Sequence, residues 1–131
     1  MMKQEKDPNE LIMYLIVNQE LNMSPPKIGI QMAHVATNIS NHMMWAGIGS
    51  HFSSEKYKRY EKWLHHNGNE QKKIALKARQ SYLIRLVALG FFHIRDKGYT
   101  EVPAGSLTCV GLGIITRQEA EPFVKRLQLL K

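Results

Sequence analysis

A single cysteine, Cys109, among 131 residues excludes any internal disulfide, and its place in the apolar string CVGLGII marks a buried, inert thiol. Long apolar runs are also missing. The first, Leu11 to Val17, is too short to span a bilayer or to form a typical signal core, so a cytoplasmic protein with no membrane partner is expected. No Gly-x-Gly-x-x-Gly follows that run and no P-loop occurs, which removes the usual support for dinucleotide or nucleoside triphosphate binding. Six histidines are scattered without ligand spacing, so no metal and no cofactor is expected. No strained serine elbow, repeat or low-complexity segment is visible.

What is present is an ordinary globular composition, 44% hydrophobic and 22% charged, with a formal net charge of +7. That charge favours an anionic partner such as nucleic acid; solubility explains a few positive charges equally well. Residues 1–10, polar and charged, read as a loose tail. Residues 11–131 read as one domain, long enough for a core without staples.

The run Leu11 to Val17 fits a strand buried on both faces. Ser24-Pro25-Pro26 reads as a helix start, a serine cap with proline in the first turn. Ile28, Met32, Val35, Ile39 and Met43 supply the helix's apolar face, while Lys27, Gln31, His34 and Asn38 share another face that suits a polar cleft. Gly47 and Gly49 are expected to end it. Ser53 to Gly68 is a second helix, made basic by Lys56, Lys58, Arg59 and Lys62. Lys73 to Ala78 is a short strand, Ser81 to Leu89 a third helix, FFHIRD a third strand and Leu107 to Ile115 a fourth. In the last helix Thr116 and Glu119 suggest a capping box that Pro122 contradicts, and Phe123, Val124, Leu127 and Leu130 are its expected buried face. The order β-α-α-β-α-β-β-α implies a three-layer α/β/α fold with a small four-stranded mixed sheet.

The segment Ile94 to Gly113 breaks at Asp-Lys-Gly and turns through Pro103, Ala104 and Gly105. Asp96 ends its first strand, Thr100 lies on the loop and Thr108 opens the return strand. Ligands bind beyond the carboxyl ends of parallel strands in an open α/β sheet. A helix start after strand one and the end of strand three both reach that edge, so Lys27 and Asp96 are expected to meet there. A plain surface salt bridge is the bland alternative, and it would contribute little.

The strings PKIGIQMAHV, with Lys27, Gln31 and His34, and IRDKGYTEVPAGSLTCVGLG together resemble the type II peptidyl-tRNA hydrolase family over nearly the whole chain after residue 10. Asp96, Thr100 and Thr108 fall at the family's offsets, as do Arg95, Gly98, Gly105 and Ser106. The resemblance implies metal-free hydrolysis of the ester joining a peptide to the terminal ribose of tRNA. By the same resemblance the catalytic residues are Lys27, Asp96, Thr100 and Thr108, with Gln31, His34, Arg95, Gly105 and Ser106 binding substrate. The chain differs from the family at Ser24-Pro25-Pro26, where Gly-Lys-Gly is usual, and at Tyr99 and Glu101, where Arg and Gln are frequent.

Lys58 and Arg59 are expected to contact tRNA phosphates. A homodimer is expected too, with Met43, Met44 and Trp45 as its apolar patch. The competing reading is a non-catalytic RNA-binding or protein-interaction domain on the same scaffold; hydrolysis of some other small ester is a weaker third.

Overall fold

The structure is a computed structural model that describes residues 6–131. Its elements are β1 (Leu11–Asn18), α1 (Pro25–Gly49), α2 (Glu55–Asn69), β2 (Lys73–Ala78), α3 (Gln80–Ala88), β3 (Phe92–Arg95), β4 (Leu107–Thr116), α4 (Arg117–Val124) and β5 (Gln128–Leu129). The sheet order is β3-β4-β1-β2-β5; β1 and β2 are parallel, and the other neighbouring pairs are antiparallel. The carboxyl ends of β1, β2 and β3 therefore share one edge of the sheet.

Strand β1 is central, and its side chains alternate between two cores. Met13, Leu15 and Val17 pack under α1 and α2 with Val35, Ile39, Tyr60 and Trp63. Ile12, Tyr14 and Ile16 pack on the opposite face with Leu83 and Leu86 of α3 and Ala120 of α4. Three layers follow directly. Helix α1 lies close to the sheet because Gly111 has no side chain: a Cβ there would stand 2.6 Å from Val35 and 2.7 Å from Ile39. Cys109 is fully buried between them, and desolvation pushes its thiol up to about 12.

Several expectations change. A fifth strand completes the sheet: α4 stops at Val124 instead of carrying Leu127 and Leu130, and the chain turns back so that Leu129 pairs with Leu76. This covers the edge that β2 would otherwise leave open. Gly47 does not end α1. It lies inside the helix, where a Cβ would meet the Tyr57 ring at 2.4 Å, so it lets α2 approach. Met43 is buried in the core rather than on a surface patch. The capping box holds despite Pro122: Thr116 Oγ1 accepts from the Glu119 N–H at 3.1 Å and Glu119 Oε1 accepts from the Thr116 N–H at 2.8 Å. Pro122 is exposed and the helix ends two residues later, which limits what the missing N–H disturbs.

Of the expected tail, residues 1–5 lie outside the described residues. Pro8 and Glu10 are tied down: their carbonyls accept from the Gln118 and Arg117 N–H groups, both at 2.9 Å. The Glu10 carboxylate adds ion pairs to Arg117 at 2.6 Å and Lys72 at 3.2 Å.

Candidate active site

The site forms where β1, β2 and β3 end. Ser24 caps α1, accepting from the Lys27 N–H at 3.4 Å, and this aims the first turn of the helix at the loop after β3. Lys27 Nζ donates to Asp96 Oδ1 at 2.7 Å, with only 11% and 9% of the two side chains exposed. Gln31, one turn on, donates through Nε2 to the same oxygen at 3.2 Å, and the Gly98 N–H donates to Oδ2 at 2.7 Å. The Lys27 hydrogen bond, then the Gly98 N–H, hold the Asp96 carboxyl below the usual carboxylate range. An ionised carboxylate only accepts, so Gln31 must turn its amide nitrogen to Asp96 and its oxygen to Thr108. Thr108 Oγ1 donates to that oxygen at 2.6 Å.

Thr108 reaches α1 because of a bulge. Ile94 pairs with Cys109 but Arg95 pairs with Leu107, which leaves Thr108 as an extra residue in β4. Bulges re-aim side chains, and here strict alternation would have sent Thr108 to the opposite face from Cys109. The result is a row, Lys27–Asp96–Gln31–Thr108, that is part-buried at one end and fully buried at the other.

The backbone around Asp96 is held as firmly. Its N–H donates to the Ser106 carbonyl at 2.9 Å, and its carbonyl accepts from the Gly105 N–H at 2.7 Å. Gly98 has φ +82, and a Cβ there would strike the Ala104 nitrogen at 2.6 Å. Only glycine closes the turn that brings its N–H to the carboxylate.

Asp96 opens into a cleft of about 330 Å³ lined by Gln31, His34, Ile94, Arg95, Lys97 and Tyr99. Gly105 and Ser106 instead line a second cleft of about 260 Å³ on the α3 side, with Arg95 reaching both. Arg95 donates to the Gly105 carbonyl at 2.9 Å, and Ser106 Oγ to the Pro103 carbonyl at 2.7 Å. Thr100 lies exposed on the loop; no hydrogen bond joins it to Lys27 or Asp96 among the described residues.

Lys58 and Arg59 are not brought to this site. Arg59 forms a two-bond pair with Glu119, at 2.7 and 3.2 Å, and holds the Glu119 carboxyl down to about 2. Glu119 caps α4 beyond the far end of the ten-residue β4. At about 3.3 Å per residue that end is on the order of 30 Å from Asp96.

Two roles escape a reading of the sequence. Gln31 stands on the helix face with Lys27 and His34 and borders the cleft, yet it is 2% exposed and bridges Asp96 to Thr108. Asn18, also 2% exposed, donates to the Leu107 carbonyl at 2.9 Å and so ties the end of β1 to the start of β4. A polar residue closing an otherwise unbroken apolar run was its signal.

A model of the family described as Peptidyl-tRNA hydrolase PTH2 matches residues 11–130. The chain belongs to this family. Among curated relatives, a peptidyl-tRNA hydrolase of Thermoplasma volcanium is 34% identical over 74% of this chain and 79% of its own length. One from Thermococcus sibiricus is 32% identical over 76% of this chain and 80% of its own length. Peptidyl-tRNA hydrolase 2 of Saccharomyces cerevisiae is 30% identical over 81% of this chain and 51% of its own length. Membership in the peptidyl-tRNA hydrolase family covers every element that builds the site.

Because Gln31 joins Thr108 to Asp96, Gln31→Leu, of similar volume, should leave the buried Thr108 hydroxyl only its long contact to the Ile94 carbonyl at 3.4 Å and loosen Asp96. We expect a loss of about 1–3 kcal/mol in the denaturant midpoint measurement and a fall of at least about tenfold in turnover. Unchanged stability and turnover would show that the row is incidental.

Proposed function

We propose that the protein hydrolyses the ester between a peptide, or an N-acylated amino acid, and the terminal ribose of tRNA, acting in the cytoplasm. The observation that carries this reading is the Lys27–Asp96 pair at the sheet's carboxyl edge, backed by Gln31 and Thr108 and open to a cleft. Ester hydrolysis needs water placed beside the carbonyl and a donor for the developing oxyanion. Three of the roughly four acceptor positions of Asp96 are filled by fixed donors. The remaining one, on Oδ2, orients the water. A carboxyl held below its usual range is a weak base, so orientation is its main contribution. Lys27 carries the charge that meets the oxyanion, and Thr100 reaches the ribose or the water from the loop.

Purified protein should release free tRNA catalytically from N-acylated aminoacyl-tRNA, at the same rate with a chelator present. Binding without release would favour a non-catalytic RNA-binding domain instead.

We propose Lys97, on the cleft, as a phosphate contact and Lys58 as a distant one. Lys97→Glu should weaken all tRNA species alike and reduce the salt slope by about one. Lys58→Glu tests the distant contact without the structural loss that Arg59→Glu would bring through Glu119. Unchanged affinity would place the tRNA away from α2.

A homodimer remains part of the proposal, with its patch moved to Trp45, Ile48 and Phe52, which are 66%, 51% and 52% exposed. Sedimentation at micromolar concentration should show the dimer, and Trp45→Glu should abolish it. A wild-type monomer there would remove the dimer from the account.

A further inference from the structure

Helix α1 begins where the carboxyl end of β1 opens on the site, a place where helix N–H groups commonly meet an anion. Here each first-turn donor is absent or engaged. Pro25 and Pro26 have no N–H, and the Lys27 N–H is taken by the Ser24 hydroxyl. The Ser24 N–H donates to Glu101 Oε2 at 2.9 Å, and Ser24 Oγ donates to Glu101 Oε1 at 2.5 Å. A carboxylate from the loop thus occupies the start of the helix, and no donor there is left for a substrate phosphate.

The loop that sends this carboxylate is otherwise fixed only at its ends. Gly98 is bonded to Asp96 Oδ2, Val102 is buried, and Gly105 is bonded to the Asp96 carbonyl. Tyr99, Thr100 and Glu101 between them are exposed, and Tyr99 is 86% accessible. Glu101 ties this exposed stretch to α1. Backbone freedom in such a stretch is worth about 1–2 kcal/mol per residue, so an untied loop would sample many positions for Thr100.

We propose that Glu101 is a positioning residue: through its two hydrogen bonds to Ser24 it fastens the Thr100 segment to the start of α1, and so sets Thr100 against Lys27 and Asp96. The inference rests on the hydrolase reading above for its catalytic consequence, but not for the tether itself. The same bonds hold the Glu101 carboxyl below its usual range, so it stays an ionised, acceptor-only group. Gln at this position keeps one oxygen for the Ser24 N–H and an amide for Ser24 Oγ. Glu101→Gln therefore preserves the tether without the charge, whereas Glu101→Ala removes both.

The test compares the two variants in turnover of N-acylated aminoacyl-tRNA and in amide hydrogen exchange. Glu101→Ala should lower kcat by about tenfold with little change in KM, and Glu101→Gln should return it to within about twofold of wild type. Exchange at the Ser24 N–H, which donates to Glu101, and at the Gly98 N–H, which anchors the loop on Asp96, should speed up in Glu101→Ala and stay near wild type in Glu101→Gln. Wild-type kcat in Glu101→Ala would overturn the proposal. So would Glu101→Gln as slow as Glu101→Ala, which would assign the effect to charge. If wild-type protein itself releases no tRNA, the hydrolase reading fails and exchange alone decides: acceleration confined to Glu101→Ala supports the tether, and unaltered exchange in both variants removes it.

Discussion

Asp96→Ala should fold normally and lose roughly 10²–10⁴ in turnover of N-acylated aminoacyl-tRNA, the usual worth of one acid-base group. Normal folding is expected because Asp96 opens into the cleft, from which water can take the carboxylate's place, and Val102, Leu107 and Cys109 anchor the surrounding chain. Substrate affinity should change far less, since the lost interaction with water matters in the transition state rather than in binding. Turnover and tRNA affinity measured on one preparation separate these effects. A plain surface ion pair would instead leave hydrolysis near normal, and such a result in a folded variant would remove Asp96 from the mechanism.

Lys27→Ala should produce a loss of similar size, about 10²–10³-fold, the range seen when one oxyanion donor is removed. Its cause must be separated from a change in the protonation of Asp96. Lys27 is the largest influence lowering the Asp96 pKa, so its removal lets that pKa rise toward the ordinary carboxylate range. At neutral pH the carboxylate stays ionised in both proteins, and the loss therefore reports position and charge at the oxyanion. Any stability contributed by the pair is present above the ordinary carboxylate pKa and disappears as pH falls through the depressed one. A wild-type rate at pH 7 in Lys27→Ala would exclude Lys27 from the reaction.

The elements legible in the sequence were those whose cause is local. Ser24-Pro25-Pro26 announced α1 because a cap and N-terminal prolines act within four residues. The Lys73–Ala78 strand and the Thr116–Glu119 capping box were legible for the same reason. The meeting of Lys27 with Asp96 followed from topology, since a helix after β1 and the end of β3 must share one sheet edge. What escaped depends on distant partners. Two residues of β5 carry no period, and only the open side of β2 gives them a place. Gly47 looks like a stop until Tyr57 is packed against it. The bulge at Thr108 is a mismatch between two strands and cannot be seen in either one. Gln31 shared the polar face on paper, but that bulge gives it a buried acceptor role deep in the site. Arg59 was chosen for its charge, which the fold commits to Glu119.

The most direct test of Lys27 and Asp96 as one hydrolytic unit is kcat/KM for the Lys27→Ala/Asp96→Ala double variant beside the two single ones. The pair, 2.7 Å apart, should behave as a unit, so the double variant should be scarcely slower than the worse single variant. Losses that multiply would show two independent groups and contradict the account.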